Sequence, residues 1–313
     1  MALIDLLTES SVLSIRRFPD VDGFRSIEQL AEARSIPLDV RNFASAFATV
    51  TLKSCSIFLQ RTFPRILQAR YRSDGVMVAF AMQRIDAMML NGSAIRNPTL
   101  LLVSGSTLCD LVEPQPNLVA FVNFDMLGDR GWPIVPGSAQ LIGIDPQALL
   151  ALQSITRDIL LFASSEPERF PEAADAMEES MLEAIDNIFL FEEWTLIARR
   201  PNLSGYLALV RKLDDLLAQS AERAVYSADI ARQLGVSVRT LHNAVVAIRG
   251  MSLHRYSRLR RLWNARRQLV LGSRAARIKV VALANGFWHM GEFARHYRAA
   301  FGETPQQTQQ RYC

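Results

Sequence analysis

Side chains suited to directed polar recognition concentrate in one stretch of the chain, Ser227 to Pro305, where one spacing of residues occurs twice. The first copy is Ile230-Ala231-x-x-x-Gly235-Val236 followed by Leu241, Val245 and Gly250; the second is Val281-Ala282-x-x-x-Gly286-Phe287 followed by Phe293, Tyr297 and Gly302. A small Ala where two short helices cross closely, and a Gly where the chain turns with positive φ, make the pattern of a helix-turn-helix. On the helix expected from Val238 to Ile248, the apolar positions Leu241, Val245 and Ile248 define a buried face and leave Arg239, His242 and Asn243 outward. On the corresponding second helix Phe293, Tyr297 and Phe301 are core, and Met290, Gly291, Glu292 and Arg295 face outward. Arg can pair with guanine O6 and N7, Asn with adenine N6 and N7, and Glu can accept from a cytosine amine. Glu292 can alternatively orient Arg295 from three positions away. Ser237, Thr240 and His289 fall at or near helix N-termini, where hydroxyls and backbone N–H groups hold phosphates. The plainer alternative for each is a solvated helix surface.

Other chemistry finds little support. All four histidines (His242, His254, His289, His296) lie after residue 201, so the first two thirds of the chain has no His cluster for a catalytic metal. No nucleophile elbow and no glycine-rich phosphate loop occurs, so no catalytic residue, metal or cofactor is expected. Cys55, Cys109 and Cys313 form an odd, scattered set without Cys-x-x-Cys, which suggests neither a disulfide framework nor a zinc site.

The two copies are offset by 51 residues before the turn (Ile230 to Val281) and by 52 after it (Leu241 to Phe293), so the second turn should be one residue longer. Between them, Ser252-Leu253-His254-Arg255-Tyr256 opens a run to Leu271 without Pro or Gly, with Leu253, Tyr256, Leu259, Trp263 and Leu269 at near-helical spacing. One linking helix of about 20 residues would span roughly 30 Å, close to the ~34 Å between successive major-groove faces. Two recognition helices on one chain could then enter adjacent grooves.

The run Ala284-Asn285-Gly286-Phe287-Trp288-His289-Met290-Gly291-Glu292-Phe293-Ala294-Arg295-His296-Tyr297-Arg298-Ala299-Ala300-Phe301-Gly302-Glu303-Thr304-Pro305 resembles the signature of the AraC/XylS family of bacterial transcription regulators: Gly-Phe, a helix with a Phe/Tyr stripe, then Phe-Gly-x-Thr/Ser-Pro. The resemblance covers about the last third of the chain. It implies that base edges are met by Arg239, His242, Asn243, Met290, Gly291, Glu292 and Arg295. Met290 and Gly291 depart from the polar residues many members place there, which points to fewer base contacts and more shape readout in the second unit.

Charge is divided along the chain. The net +4 of the 313 residues, half of them hydrophobic, conceals 18 Lys and Arg against 6 Asp and Glu from Asn202 onward, a local +12, and 17 against 25 before it, a local −8. A polyanion would therefore meet the C-terminal part, whose positive charge is nearly all Arg, suited to phosphate and guanine edges. The N-terminal stretch carries Asp5 and Glu9, which spoils a secretory signal, and no run approaches the ~20 apolar residues of a membrane span. A cytoplasmic protein is expected.

Before residue 201 the texture changes twice. The clearest helical piece of the first 48 residues is Asp22 to Ala31. From about residue 49 to 124, short apolar runs (Thr49 to Leu59, Arg65 to Tyr71, Val76 to Met82, Ala87 to Ile95, Leu100 to Val103, Thr107 to Val112, Leu118 to Phe124) are separated by turn signals such as Ser73-Asp74-Gly75 and Asn91-Gly92. They predict a β-sandwich or barrel. Within it Phe58, Phe80, Met82, Met88 and Phe121 either line a ligand cavity or simply pack, and Lys53, Arg70, Arg72 and Arg84 either bind an anion or are solvated. Helical periods return from Pro146 to Ala163 and from Pro171 to Trp194, each beginning near a Pro suited to a first helical turn. The second of these carries an apolar stripe, Met181, Leu182, Ile185 and Phe189, to be buried at a dimer interface or on its own domain. Arg199 to Gly205 reads as a linker.

The expected fold is α+β: a sensor and dimerisation domain over residues 1–200 (β-rich about 49–124, helical about 146–195) and an all-α domain over 203–313 with two helix-turn-helix units. The order of β unit, helical pair and DNA-binding domain is also similar to AraC-type regulators with a cupin-like sensor barrel. The function expected is sequence-specific regulation of transcription on a bipartite double-stranded DNA site, as a homodimer answering a small-molecule effector whose binding residues are unknown, with RNA polymerase as partner of an activator. Alternatives are an effector-independent or architectural DNA binder, or an enzyme tethered to DNA.

Overall fold

The computed structural model describes residues 2–24, 30–41, 43–71, 75–85, 87–125, 127–197, 202–219, 227–272 and 277–312. In chain order the elements are α1 (Leu3–Leu6), β1 (Leu13–Phe18), β2 (Leu30–Pro37), β3 (Ser45–Thr51), β4 (Cys55–Arg61), β5 (Arg65–Tyr71), β6 (Val76–Ala81), β7 (Met88–Leu90), β8 (Ser93–Ile95), β9 (Thr99–Ser104), β10 (Thr107–Glu113), β11 (Leu118–Phe124), β12 (Ser138–Gly143), α2 (Pro146–Ser165), α3 (Phe170–Asp186) with a π-helical turn at Asn187–Phe191, β13 (Thr195–Leu196), then α4 (Leu203–Gln219), α5 (Ser227–Gln233), α6 (Val238–Arg249), α7 (Leu253–Leu271), α8 (Ile278–Ala284), α9 (Met290–Phe301) and α10 (Pro305–Tyr312). By their contacts the residues divide into two compact units, one of residues 1–35, 43–90 and 94–198, the other of 36–42, 91–93 and 199–313.

The first unit is built on an eight-stranded sheet in the order β1-β3-β4-β11-β6-β9-β12-β13 and a five-stranded sheet in the order β2-β5-β10-β7-β8. The central ladders, β4 and β6 on either side of β11, are antiparallel, with Phe121 opposite Phe58 and Ala79. Strand β6 is a continuous apolar run because both of its faces are buried. Val76, Val78 and Phe80 point to a core shared with α2 and α3, whereas Met77 and Ala79 point to a second core between the sheets. Helix α2 starts on Pro146, with the Asp145 carboxylate accepting from Gln147 N at 2.7 Å. By length and composition α2 could cross a membrane, which the sequence reading did not expect of any segment. Its apolar face, however, is spent on this core through Leu149, Leu152, Ile159, Leu160 and Ala163.

Several local expectations change. The run from Thr49 to Leu59 is two strands, β3 and β4, joined by a tight turn in which Leu52 N donates to Cys55 O. Asn91-Gly92 forms the expected hairpin turn, both residues at positive φ (52° and 82°). Of the expected helix from Asp22 to Ala31, residues 25–29 lie outside the described residues, and Leu30 and Ala31 belong to strand β2. Arg72, Ser73, Asp74, Cys313 and the first part of the linker, residues 199–201, also lie outside them. The apolar stripe of the second helix packs on its own domain: Met181, Ile185 and Phe189 are buried in the first unit's core, with Leu182 packed against it.

The second unit is helical in all its described elements from α4 to α10. Its additional helix, α4, places Leu207, Val210, Leu213 and Leu217 in the core at helical spacing.

Candidate nucleic-acid interface

Each helix-turn-helix is fixed by the residues that define its spacing. In the first, Ile230 and Ala231 are buried on α5, Gly235 turns the chain at φ 68°, and Val236 N donates back to Ala231 O at 3.0 Å. In the second, Val281 and Ala282 are buried on α8, Gly286 has φ 76°, and Phe287 N donates to Ala282 O at 2.9 Å. Four residues, 234–237, separate α5 from α6 and five, 285–289, separate α8 from α9, which is the one-residue difference expected from the offsets. Helices α6 and α9 both end on a left-handed Gly, at Gly250 and Gly302.

The outward faces follow from these anchors. Leu241, Val245 and Ile248 are buried on α6, and Arg239, His242 and Asn243 are exposed. Phe293, Tyr297 and Phe301 are buried on α9, and Gly291, Glu292 and Arg295 are exposed. Met290 differs from expectation: it is half-buried and packs against the aromatic core, because the first turn of α9 leans on that core. Arg295 lies 3.8 Å from the Glu292 carboxylate, an exposed pair worth little in water and easily exchanged for another partner. Space is open around Gly291, so packing does not demand glycine there.

At the helix N-termini, Ser237 caps α6 by accepting from Thr240 N at 3.0 Å, and its hydroxyl meets that of Thr240 at 2.8 Å. His289 occupies the N-cap position of α9 without a side-chain cap, leaving that end to other acceptors. His296, half-buried on α9, has its pKa lowered below the ordinary value, first by burial and then by Arg258 and Arg295.

Two buried ionic networks, which sequence patterning did not reveal, hold these helices. In the first, Asp214 of α4 accepts from Arg249 Nη2 at 2.7 Å, at the end of α6, and from the Tyr256 hydroxyl on α7. In the second, Arg266 of α7 donates to Glu303 at 2.7 Å and lies over the Phe301 ring at 5.0 Å, while Thr308 bridges Glu303 and the Tyr297 hydroxyl. Arg249 and Arg266 thus belong to the interior and not to the basic surface. The helical spacing of Asp214 between Val210, Leu213 and Leu217 was the available signal that it faces inward. The aromatic stripe of α9 stacks edge-on in sequence, with centroids 5.5 Å apart for Phe293 and Tyr297 and 4.5 Å for Tyr297 and Phe301.

Residues 230–311 match a family described as a helix-turn-helix domain. A probable AraC family transcriptional regulator from Rhodopseudomonas palustris is 31% identical, with 34% of this chain aligned to 97% of that one, at a TM-score of 0.31. The C-terminal part of the chain is a helix-turn-helix domain of the AraC type. A transcriptional regulator with an AraC-type DNA-binding domain from Chromobacterium violaceum is 26% identical over 35% of this chain and 96% of its own, at a TM-score of 0.32. The probable thc operon regulatory protein of Rhodococcus erythropolis is 33% identical over 107 residues, 34% of this chain. That alignment spans 31% of the curated relative's length. DNA binding in transcription regulation is thus a property of the C-terminal, AraC-type part.

The first unit contains a cavity of about 100 Å³ between the two sheets, walled mainly by apolar side chains. Of the residues considered from sequence, Phe80, Met88 and Phe121 line it; Phe58 and Met82 do not. Lys53 pairs at the surface with Asp175, away from the cavity wall. The cavity's charged residues are instead Arg65 and Glu113, neither singled out by sequence patterning.

Proposed function

We infer that this chain is a sequence-specific, effector-responsive regulator that reads a bipartite duplex site with α6 and α9. The observation that carries this reading is the matched register of the two helices: Arg239 and Asn243 on α6 stand one offset of 52 from Gly291 and Arg295 on α9, all four exposed. Equal positions therefore present different side chains, so the two half-sites differ in sequence. Arg239, His242, Asn243, Glu292 and Arg295 are assigned to base edges, Gly291 to close approach, and Ser237, Thr240 and His289 to phosphates. Half-buried Met290 is assigned to apolar contact at the groove. The 19 residues of α7 span ~28 Å at 1.5 Å each, which suits adjacent major grooves.

In this reading the first unit senses a small molecule in its interior cavity and shifts the population of DNA-binding states. Homodimerisation belongs to it as well, supported by exposed Leu190, Phe191 and Leu196, and sedimentation of the full chain checks it. The test of the DNA-binding part is the salt dependence of duplex affinity. Log affinity should fall linearly with log salt through release of counterions by the Arg-rich surface. Affinity indifferent to salt would refute it.

A further inference from the structure

We propose that the interior cavity of the first unit selects a small, uncharged, largely apolar molecule that carries one hydrogen-bond donor, and that Glu113 is the acceptor that recognises it. This rests on the effector-sensing reading above and specifies the ligand's chemistry.

The wall is apolar over most of its extent, including Leu67, Met77, Ala79, Leu90 and Leu141. Glu113 is fully buried, at 0% exposure, and lines the same space. One of its oxygens, Oε2, accepts from Arg65 Nε at 2.5 Å. The other, Oε1, is buried and has no hydrogen-bond partner. A buried acceptor left unmade carries a desolvation cost that a ligand donor removes. Arg65 meets Glu113 through Nε alone and lies over the rings of Phe63 and Phe24 at 5.2 and 5.8 Å, and the adjacent Glu113 carboxylate offsets its charge toward an anion. An anionic ligand would also face the Glu113 carboxylate at close range. Among the described residues no group of three or more His, Cys, Asp and Glu could hold a metal, so nothing in this wall points to a metal-bridged ligand.

Size narrows the class. At about 100 Å³ the space is smaller than the ~150 Å³ apolar cavity that accommodates a benzene ring. The occupant is a five-membered ring or a short branched chain bearing N–H or O–H.

Pyrrole and furan form a matched pair for the test. They share shape and size, but pyrrole presents an N–H where furan presents a ring oxygen. Binding to the full chain is followed through ¹³C-methyl signals of Met77 and Met88, both in the cavity wall, and duplex affinity is measured on the same samples. The expected result is movement of those signals with pyrrole bound at least about tenfold more tightly than furan, the scale of one charge-assisted hydrogen bond. Ala79→Leu should abolish binding of both by filling the space. Glu113→Gln should erase or reverse the preference, since the amide that accepts from Arg65 turns an N–H toward the cavity. Should that variant not fold, the wild-type ratio alone decides. Equal binding, tighter furan, or no binding of either overturns the proposal. A pyrrole preference without any change in duplex affinity upholds the ligand class and removes the effector reading; equal binding with altered duplex affinity does the reverse.

Discussion

Removal of the Asp214 carboxylate should uncouple the first helix-turn-helix from its support. Asp214 is buried and takes charge from Arg249, also buried, at 2.7 Å, a donor bond from Tyr256, and a longer approach from Arg260 at 3.7 Å. Burial, and then the adjacent Asp214 charge, push the Tyr256 hydroxyl well above its ordinary pKa, so it stays protonated and remains a donor. Asp214→Leu leaves a guanidinium in the interior without its carboxylate, which costs about 3–5 kcal/mol. Adding Arg249→Met removes that charge and leaves the Tyr256 hydroxyl without an acceptor, a remaining cost of about 1–3 kcal/mol. Adding Tyr256→Phe as well should recover a further part of the loss, because an ion pair replaced by packed apolar groups is often neutral, while Arg260, which keeps its charge without Asp214, sets the remainder. Hydrogen exchange of the full chain measures this locally: amides of α4, α6 and α7 should lose protection in the single variant and recover stepwise, with the β-sheets of the first unit unchanged. A single variant within 1 kcal/mol of wild type, or a triple variant no better than the single, would refute the reasoning.

Other expectations follow from specific local geometry. Gly302→Ala should destabilise the second unit by about 1–2 kcal/mol, because Gly302 caps α9 at φ 73° where an L side chain is strained; thermal melting reads the loss, and an unchanged Tm would be inconsistent with that cap. Arg130 holds the Asp186 carboxyl below its usual range, helped by the Trp132 indole N–H at 2.7 Å. A depressed folded-state pKa contributes stability above the unfolded value near 3.8 and loses it as pH falls through the folded one. Asp186→Asn should therefore lower stability by about 1.5–3 kcal/mol at neutral pH and flatten the acid limb of a denaturation series; an acid limb identical to wild type would contradict it. Burial pushes the Cys55 thiol up to about 12, with Glu178 adding to it, so thiol reagents should label it in the native chain only slowly at pH 8.

The sequence made the DNA-binding part unusually legible because its signals are geometric. Glycines forced to positive φ at Gly235 and Gly286, and aromatic anchors every four residues on α9, fix both turns and both buried faces. Periodicity says which residues face outward but not how a flexible side chain at the boundary settles, and Met290 leans back onto the core for that reason. In the first unit, strands with two buried faces such as β6 announced themselves as apolar runs, whereas β1, with Arg16 and Arg17 outward at the sheet edge, did not. Long-range pairing is the part that one-dimensional patterns omit. Nothing local places Arg65 beside Glu113, 48 residues on, or Asp214 beside Arg249, 35 residues on.

Separate readout by the two helices is tested most directly by selecting randomised duplexes with the wild type, Arg239→Ala and Arg295→Ala. Each substitution should cost about 1–3 kcal/mol at its own base pair and relax preference there alone. The two relaxed positions should lie roughly one helical turn, ~10 bp, apart. Thr240→Ala, at a position the proposal assigns to a phosphate, should weaken binding without changing the selected sequence. Relaxation of the same base pairs by both Arg variants, or of none by either, would contradict two separately reading helices even in a chain that still binds DNA.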